Sequence, residues 1–311
     1  MRLLRRLLLA GLLGVFVFVA YLWLGLPGRR EVRALAKNNP GLTGVMRQRE
    51  KEAQAAGHTA RRQQTWVPLS RVSRHLVHAV LSSEDQNFFG HQGVDWDAIE
   101  KSVQEDRKQW RLARGGSTIT QQLAKNLFFT THKSPVRKVR ELLVAHWLEE
   151  DLGKRRILEL YLNVIEWGDG VYGAEAAAQR YYGKPASALD ADEAAGLAAM
   201  IPNPRRINPR VDPRRFASAQ RRVVWLMAHA GYLSRSGLGA EPPPVEPLDE
   251  DEPAPPEPEA APAAHSNETS PAPAGESPAD AAPPVSPAPD EAPPAPSPAP
   301  SPAPEATPSP V

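Results

Sequence analysis

The 311-residue chain contains no cysteine, which excludes disulfides, thiolate metal sites and lipid attachment through sulfur. Its last 71 residues, 241–311, lack lysine and arginine, yet hold 25 of the 34 prolines and 14 of the 36 acidic side chains. Such a segment has too little apolar surface to offset its conformational entropy, so an extended, disordered tail is expected. Between residues 69 and 231 there is also no convincing period-two alternation, which argues against a sheet-based domain. Without the tail, residues 1–240 carry 37 basic and 22 acidic side chains, a net charge of +15 against +1 for the whole chain. Anionic partners are implied: lipid headgroups, phosphates or nucleic acid.

What the chain does have, at its start, is one long apolar run. Residues 7–26, LLLAGLLGVFVFVAYLWLGL, carry no charge and as a helix would span a hydrocarbon layer of about 30 Å. A transmembrane helix is expected. A cleaved signal peptide is the rival reading, but it would have a shorter apolar stretch and a better cleavage site than GLPGRR. Arg2, Arg5 and Arg6 precede the run and Arg29, Arg30 and Arg33 follow it, so positive charge does not choose an orientation. Tyr21 and Trp23 suit an interfacial belt.

The middle of the chain reads as a succession of helices. Leu69, Val72, Leu76 and Val80 recur at helical spacing and deliver Glu84 and Asp85 at a helix C-terminus. Ser117 is expected to cap a helix over residues 118–129, and Ser134-Pro135 to open one that reaches Asp151. Further helices are expected over 154–166, over 174–182 before Gly183, over 194–201 behind a capping box of Asp190 and Glu193, and from Asp212-Pro213 to Gly231.

Four stretches carry polar residues at informative spacings. In GGSTITQQLAKN, residues 115–126, two glycines precede a helix start whose free N–H groups suit an anion, phosphate above all. Gln121 lies one turn below Lys125, and Gln122 one turn below Asn126. An ordinary capped surface helix has the same appearance. In EDQNFFGHQG, residues 84–93, Glu84 stands at the negative end of a helix beside Asp85, so its pKa should rise and make it a better proton acceptor. A solvated acidic cap is the plainer account. Arg137 and Glu141 are one turn apart in RKVRELLVAHWLEE, flanked by Lys138 and Arg140, as in any salt-bridged helix. In KRRILELYLNVIEWG, Glu159 and Asn163 share a face of a helix that otherwise reads as core.

In order, these stretches resemble the four central motifs of the family 51 peptidoglycan glycosyltransferases. They are Glu84-Asp85-x-x-Phe88-x-x-His91-x-Gly93, Gly116-Ser-Thr-Ile-Thr-Gln-Gln-Leu-x-Lys125-Asn126, Arg137-Lys138-x-x-Glu141 and Ile157-Leu-Glu-x-Tyr-Leu-Asn163. Arg221-x-x-Val224 to Met227 is a looser match to the fifth, and the resemblance covers residues 65–230 or so.

The resemblance implies a mainly α, lysozyme-like two-lobed helical domain behind one N-terminal transmembrane helix, with the disordered tail after it. The expected layout is a cytoplasmic basic stub over 1–6, the span over 7–26, a juxtamembrane linker or helix over 27–64, the glycosyltransferase domain over 65–235 and the tail over 236–311. The implied activity is polymerisation of lipid II into β-1,4 glycan with loss of undecaprenyl diphosphate and inversion at the anomeric carbon. Glu84 would be the general base. Glu141, the second acid, would orient cations or help hold a labile Mg²⁺ or Mn²⁺. Lys125, Lys133, Arg137 and Arg140 would face the diphosphate, and Asp85, Ser117, Gln121, Asn126 and Lys138 complete the expected substrate site.

Implied partners are lipid II, the growing glycan, the bacterial inner membrane, and cell-wall synthesis or division proteins through the tail. The domain would face the periplasm, and residues 94–114, with Trp96 and Trp110, would contact lipid or form a buried helix. The chain has neither Ser-x-x-Lys nor Lys-Thr-Gly, so transpeptidase activity is not expected. A glycan hydrolase remains an alternative, though neutral glycosidic bonds offer nothing for the cations to hold. A non-enzymatic scaffold is another, against which Glu84 and Glu141 argue. The charge would also suit nucleic acid, but no recognised module accompanies it.

Overall fold

The computed structural model describes residues 2–100 and 116–236. The expected tail and most of the 94–114 segment therefore lie outside the described residues. The first helix, α1 (Arg2–Leu24), is apolar all round from Leu7 onward and has no buried residue, as a candidate membrane span should be. Two helices follow inside the stretch expected to be juxtamembrane: α2 (Arg29–Ala34) and α3 (Gly44–Ala55). Thr43 caps α3 by accepting from Met46 N. Gly44 fits there because a Cβ would overlap the Phe129 carbonyl.

The body is mainly helical. A short 3-10 turn over Leu69–Arg71 leads into α4 (Arg74–Glu84), capped by Ser73. Then come α5 (Ile119–Phe128), α6 (Pro135–Asp151) and α7 (Lys154–Val164). After them are α8 (Ala174–Tyr182), α9 (Ala191–Met200) and α10 (Pro213–His229). Local chemistry sets several ends. Asp190 and Glu193 form the capping box of α9, Asp212 accepts from Arg215 N ahead of Pro213, and Gly183 closes α8 in the left-handed region.

The helices pack as two groups. In one, α9 lies against α10 and α4; in the other, α5 lies against α6 and α7. A continuous apolar cluster joins them, with Leu76, Val80, Leu123, Ile157, Tyr161 and Leu197 wholly or almost wholly buried within it. Glu84 ends α4 in the first group, and α5 in the second carries the residues it meets.

Two expectations need correction. Ser117 does not cap α5; Thr118 does, accepting from Gln121 N, which leaves Ser117 free to face the next helix. The body also contains strand. Helix α7 stops at Val164, and β2 (Glu166–Gly168) and β3 (Val171–Tyr172) follow. With β1 (Gln63–Gln64), they form a sheet in the order β1-β3-β2. β1 runs parallel to β3, pairing Gln63 with Val171 and Gln64 with Tyr172, while β2 is antiparallel to β3. Strands of two or three residues are too short to show alternation. Asn163 anchors this corner, exchanging two hydrogen bonds with the backbone of Val67 and accepting none from solvent at 0% exposure.

Candidate active site

Glu84, the last residue of α4, is half-buried, and its Oε2 accepts from Gln122 Nε2 of α5 at 2.7 Å. Burial raises its pKa, the Gln122 hydrogen bond and the Lys125 charge oppose the rise, and Asp85 adds to it. The repulsion from Asp85 was expected; the leading cause, burial between two helix groups, is a tertiary property.

Asp85 points elsewhere. It is buried, accepts from Ile119 N at 2.9 Å, and meets His91 Nε2 at 2.9 and 3.0 Å. The N-terminus of α5, expected to hold a phosphate, thus holds this carboxylate, which uses the same free N–H groups and positive helix end. Asp85 is therefore a fastener between α4 and α5, and its expected place against substrate is not supported. Beside it, the Gly93 carbonyl accepts from Thr118 Oγ1 and Gln121 Nε2, with Gly93 at a φ of +83° that side chains rarely adopt.

Across α5 lies a chain of cations. Lys138 of α6 donates to Ser117 Oγ at 2.8 Å and to Gln121 Oε1 at 2.9 Å, and its Nζ is 3.5 Å from Glu141 Oε2. Arg137 donates to the other Glu141 oxygen. Burial lowers the Lys138 pKa, Glu141 opposes this, and the charges of Arg137 and Lys125 reinforce it. Half-buried Lys125 therefore influences both ends of the site: the Glu84 carboxylate on one side and Lys138 on the other. Asn126 is buried and donates to the Gln122 carbonyl. Lys133 is exposed on the link between α5 and α6.

Arg140 is not in this group. Its guanidinium donates to the carbonyls of Tyr21 and Leu22 at the end of α1 and lies 4.9 Å from the Tyr21 ring. A cation at a helix C-terminus satisfies carbonyls that the helix cannot, so the expectation that Arg140 faces a diphosphate is corrected. Glu159 and Asn163 of the fourth motif likewise secure backbone: Leu69 N donates to Glu159, and Val67 N to Asn163.

A cleft of about 650 Å³, open mouth included, adjoins these residues; Gln122, Lys125 and Asn126 form one wall and Arg49, Glu166 and Arg205 another. Arg49 pairs with Glu166 and Glu52, and Arg205 with Asp169. None of the residues on this second wall was singled out from sequence, because each belongs to a separate element with no motif spacing. Gln122 and Tyr161, which bond to one another at 2.9 Å, were also passed over as ordinary motif and core positions.

The donor set at Glu141 does not fit the expected Mg²⁺ or Mn²⁺. At 3% exposure, one of its oxygens accepts from Arg137 and the other faces Lys138. A group that could hold a metal ion is found instead at Asp85, His91 and Asp95, whose ligand atoms lie within 4.8 Å of one another.

The chain has relatives among known proteins. The family profile described as Transglycosylase matches residues 50–228. A biosynthetic peptidoglycan transglycosylase of Azoarcus sp. (strain BH72) is 48% identical over 191 residues, 60% of this chain and 83% of that protein. The protein of the same name from Herminiimonas arsenicoxydans is 50% identical over 168 residues, covering 54% of this chain and 73% of the relative. That of Methylobacillus flagellatus is 45% identical over 194 residues, covering 62% and 85%.

Proposed function

We propose, for a chain that belongs to the transglycosylase family and is thereby a peptidoglycan glycosyltransferase of cell-wall synthesis, that it polymerises lipid II with Glu84 as general base. The 4-hydroxyl oxygen of the incoming sugar attacks the anomeric carbon of the growing chain while Glu84 takes the hydroxyl proton. The bond from that carbon to the lipid diphosphate breaks, and displacement from the opposite face inverts the centre. Undecaprenyl diphosphate leaves with the bonding electron pair. A diphosphate is already a weak base, so it needs neutralisation of charge more than a proton.

What supports this reading is the geometry along α5: Glu84 accepts from Gln122, Gln122 and Lys125 line one cleft, and Lys138 donates to Gln121 of the same helix. In this reading base and cations act on one substrate. Lys125, Arg137 and Lys138 would hold the leaving diphosphate, with Lys133 reaching it from the exposed link. Glu141 keeps Arg137 and Lys138 in place. Because both substrates are lipids, holding the enzyme to the bilayer raises their effective concentration, which suits the span at α1. In this reading the protein crosses the bacterial inner membrane once, with the catalytic body in the periplasm, and it extends glycan without cross-linking it.

The test is full-length Glu84→Gln in detergent with labelled lipid II, products resolved on a gel. The amide keeps the shape of the side chain and cannot accept the proton, so no polymer is expected while the melting temperature stays near that of the parent. Normal polymerisation by this variant would overturn the assignment.

A further inference from the structure

Tyr161, in the middle of α7, is wholly buried, an unusual place for a hydroxyl unless it has an acceptor. Its acceptor is Gln122 Oε1, at 2.9 Å. The same amide donates through Nε2 to Glu84 Oε2 at 2.7 Å. The three side chains form a relay from the core of one helix group to the acid that ends the other.

The two ends of a glutamine amide are nearly equal in size and opposite in hydrogen-bond sense. Which end meets Glu84 is therefore decided by what stands at the far end. Burial and the charges of Glu84 and Asp85 keep the Tyr161 phenol protonated, so it donates, and a donor there demands the amide oxygen. This turns Nε2 towards Glu84. With the amide reversed, its oxygen would face a carboxylate, and two acceptors would repel.

We infer that Tyr161 is a positioning residue: through Gln122 it ties Glu84 Oε2 and leaves Oε1 to receive the proton of the incoming hydroxyl. The inference rests on the reading of Glu84 as the base. It predicts an effect on turnover and little on substrate affinity, because Tyr161 has no surface to offer a ligand.

The experiment measures kcat and KM for labelled lipid II with the full-length, detergent-solubilised protein. Tyr161→Phe should lower kcat roughly tenfold, with KM changed by less than about twofold, since a loosened acid is misplaced but present. Gln122→Met, which removes the amide, should lower kcat at least as much. Adding Tyr161→Phe to Gln122→Met should then cost nothing more, because the tyrosine acts only through the amide. A tyrosine that merely supports the fold would multiply its loss into the double variant. That result, or an unchanged kcat for Tyr161→Phe, would overturn the inference. If Tyr161→Phe melts too low to assay, Gln122→Met decides by itself, and an unchanged kcat refutes the relay. Loss of activity in Glu84→Gln alongside full activity in Tyr161→Phe removes this inference and leaves the base in place; activity in Glu84→Gln removes both.

Discussion

The two flanks of α6 can be compared through Lys138 and Arg140. They are neighbours in sequence, but at 3.6 residues per turn two positions apart means nearly opposite sides of the helix. Lys138 turns to α5 and the residues leading into it, where it meets Gln121 and Ser117, and it pairs with Glu141 of its own helix. Arg140 turns to α1 and caps its last carbonyls. Between them runs the buried stripe of Glu141, Val144, Ala145 and Leu148. One helix thus meets α5 on one flank and the span on the other, and a run of basic residues that looks like a single cluster divides by geometry.

The same division runs through the other motifs. Glu84 meets Gln122, whose side chain lines the cleft, whereas adjacent Asp85 fastens α4 to α5. Replacing cleft-facing groups should damage turnover, and replacing fasteners should damage stability.

The largest effect tests the cleft side. Lys125→Ala should reduce polymerisation of lipid II by roughly a hundredfold or more, the scale of losing one preorganised charge on a leaving group, with little change in melting temperature. The pH profile sharpens this. Protonated Glu84 cannot act as a base, so activity is present above its pKa and lost as pH falls through it. Burial has raised that pKa, and Lys125 opposes the rise. Removing the lysine should therefore move the acid limb of kcat/KM to still higher pH; a limb that stays put or moves down would separate Lys125 from Glu84.

Next is the fastener. Asp85→Ala strands the buried His91 and the Ile119 N–H together, and should lower stability by about 2–4 kcal/mol, read from chemical or thermal unfolding. A large loss of kcat without a loss of stability would assign Asp85 to the cleft after all. The smallest effect belongs to the anchor flank. Arg140→Ala should change turnover in detergent by less than about threefold, in keeping with a helix-end charge interaction of about 1 kcal/mol. A loss as deep as that of Lys125→Ala would erase the distinction between the flanks.

Where the determinants are local, the sequence already reveals them. The Asp190–Glu193 box, Asp212-Pro213 and Gly183 set helix ends within a few residues of themselves, and α1 declares itself by composition. The sheet is illegible because it joins residues 63–64 to 171–172 across about a hundred positions with strands of two or three residues. At the site, motif order brings Glu84, Lys125, Arg137 and Glu141 into view, but not the direction in which each points. Asp85 and Arg140 were both expected against substrate, and each is directed by an unpaired backbone group on a distant element. Gln122 and Tyr161 remained hidden because their importance lies in a hydrogen bond between two helices.

At Gly25, just past the end of α1, a Cβ would meet the Arg140 guanidinium, the tip of a long side chain that can swing aside. That same tip holds two carbonyls of α1, so part of the join between span and body is made by a movable group, and its geometry can be altered from either end without touching the residues around Glu84.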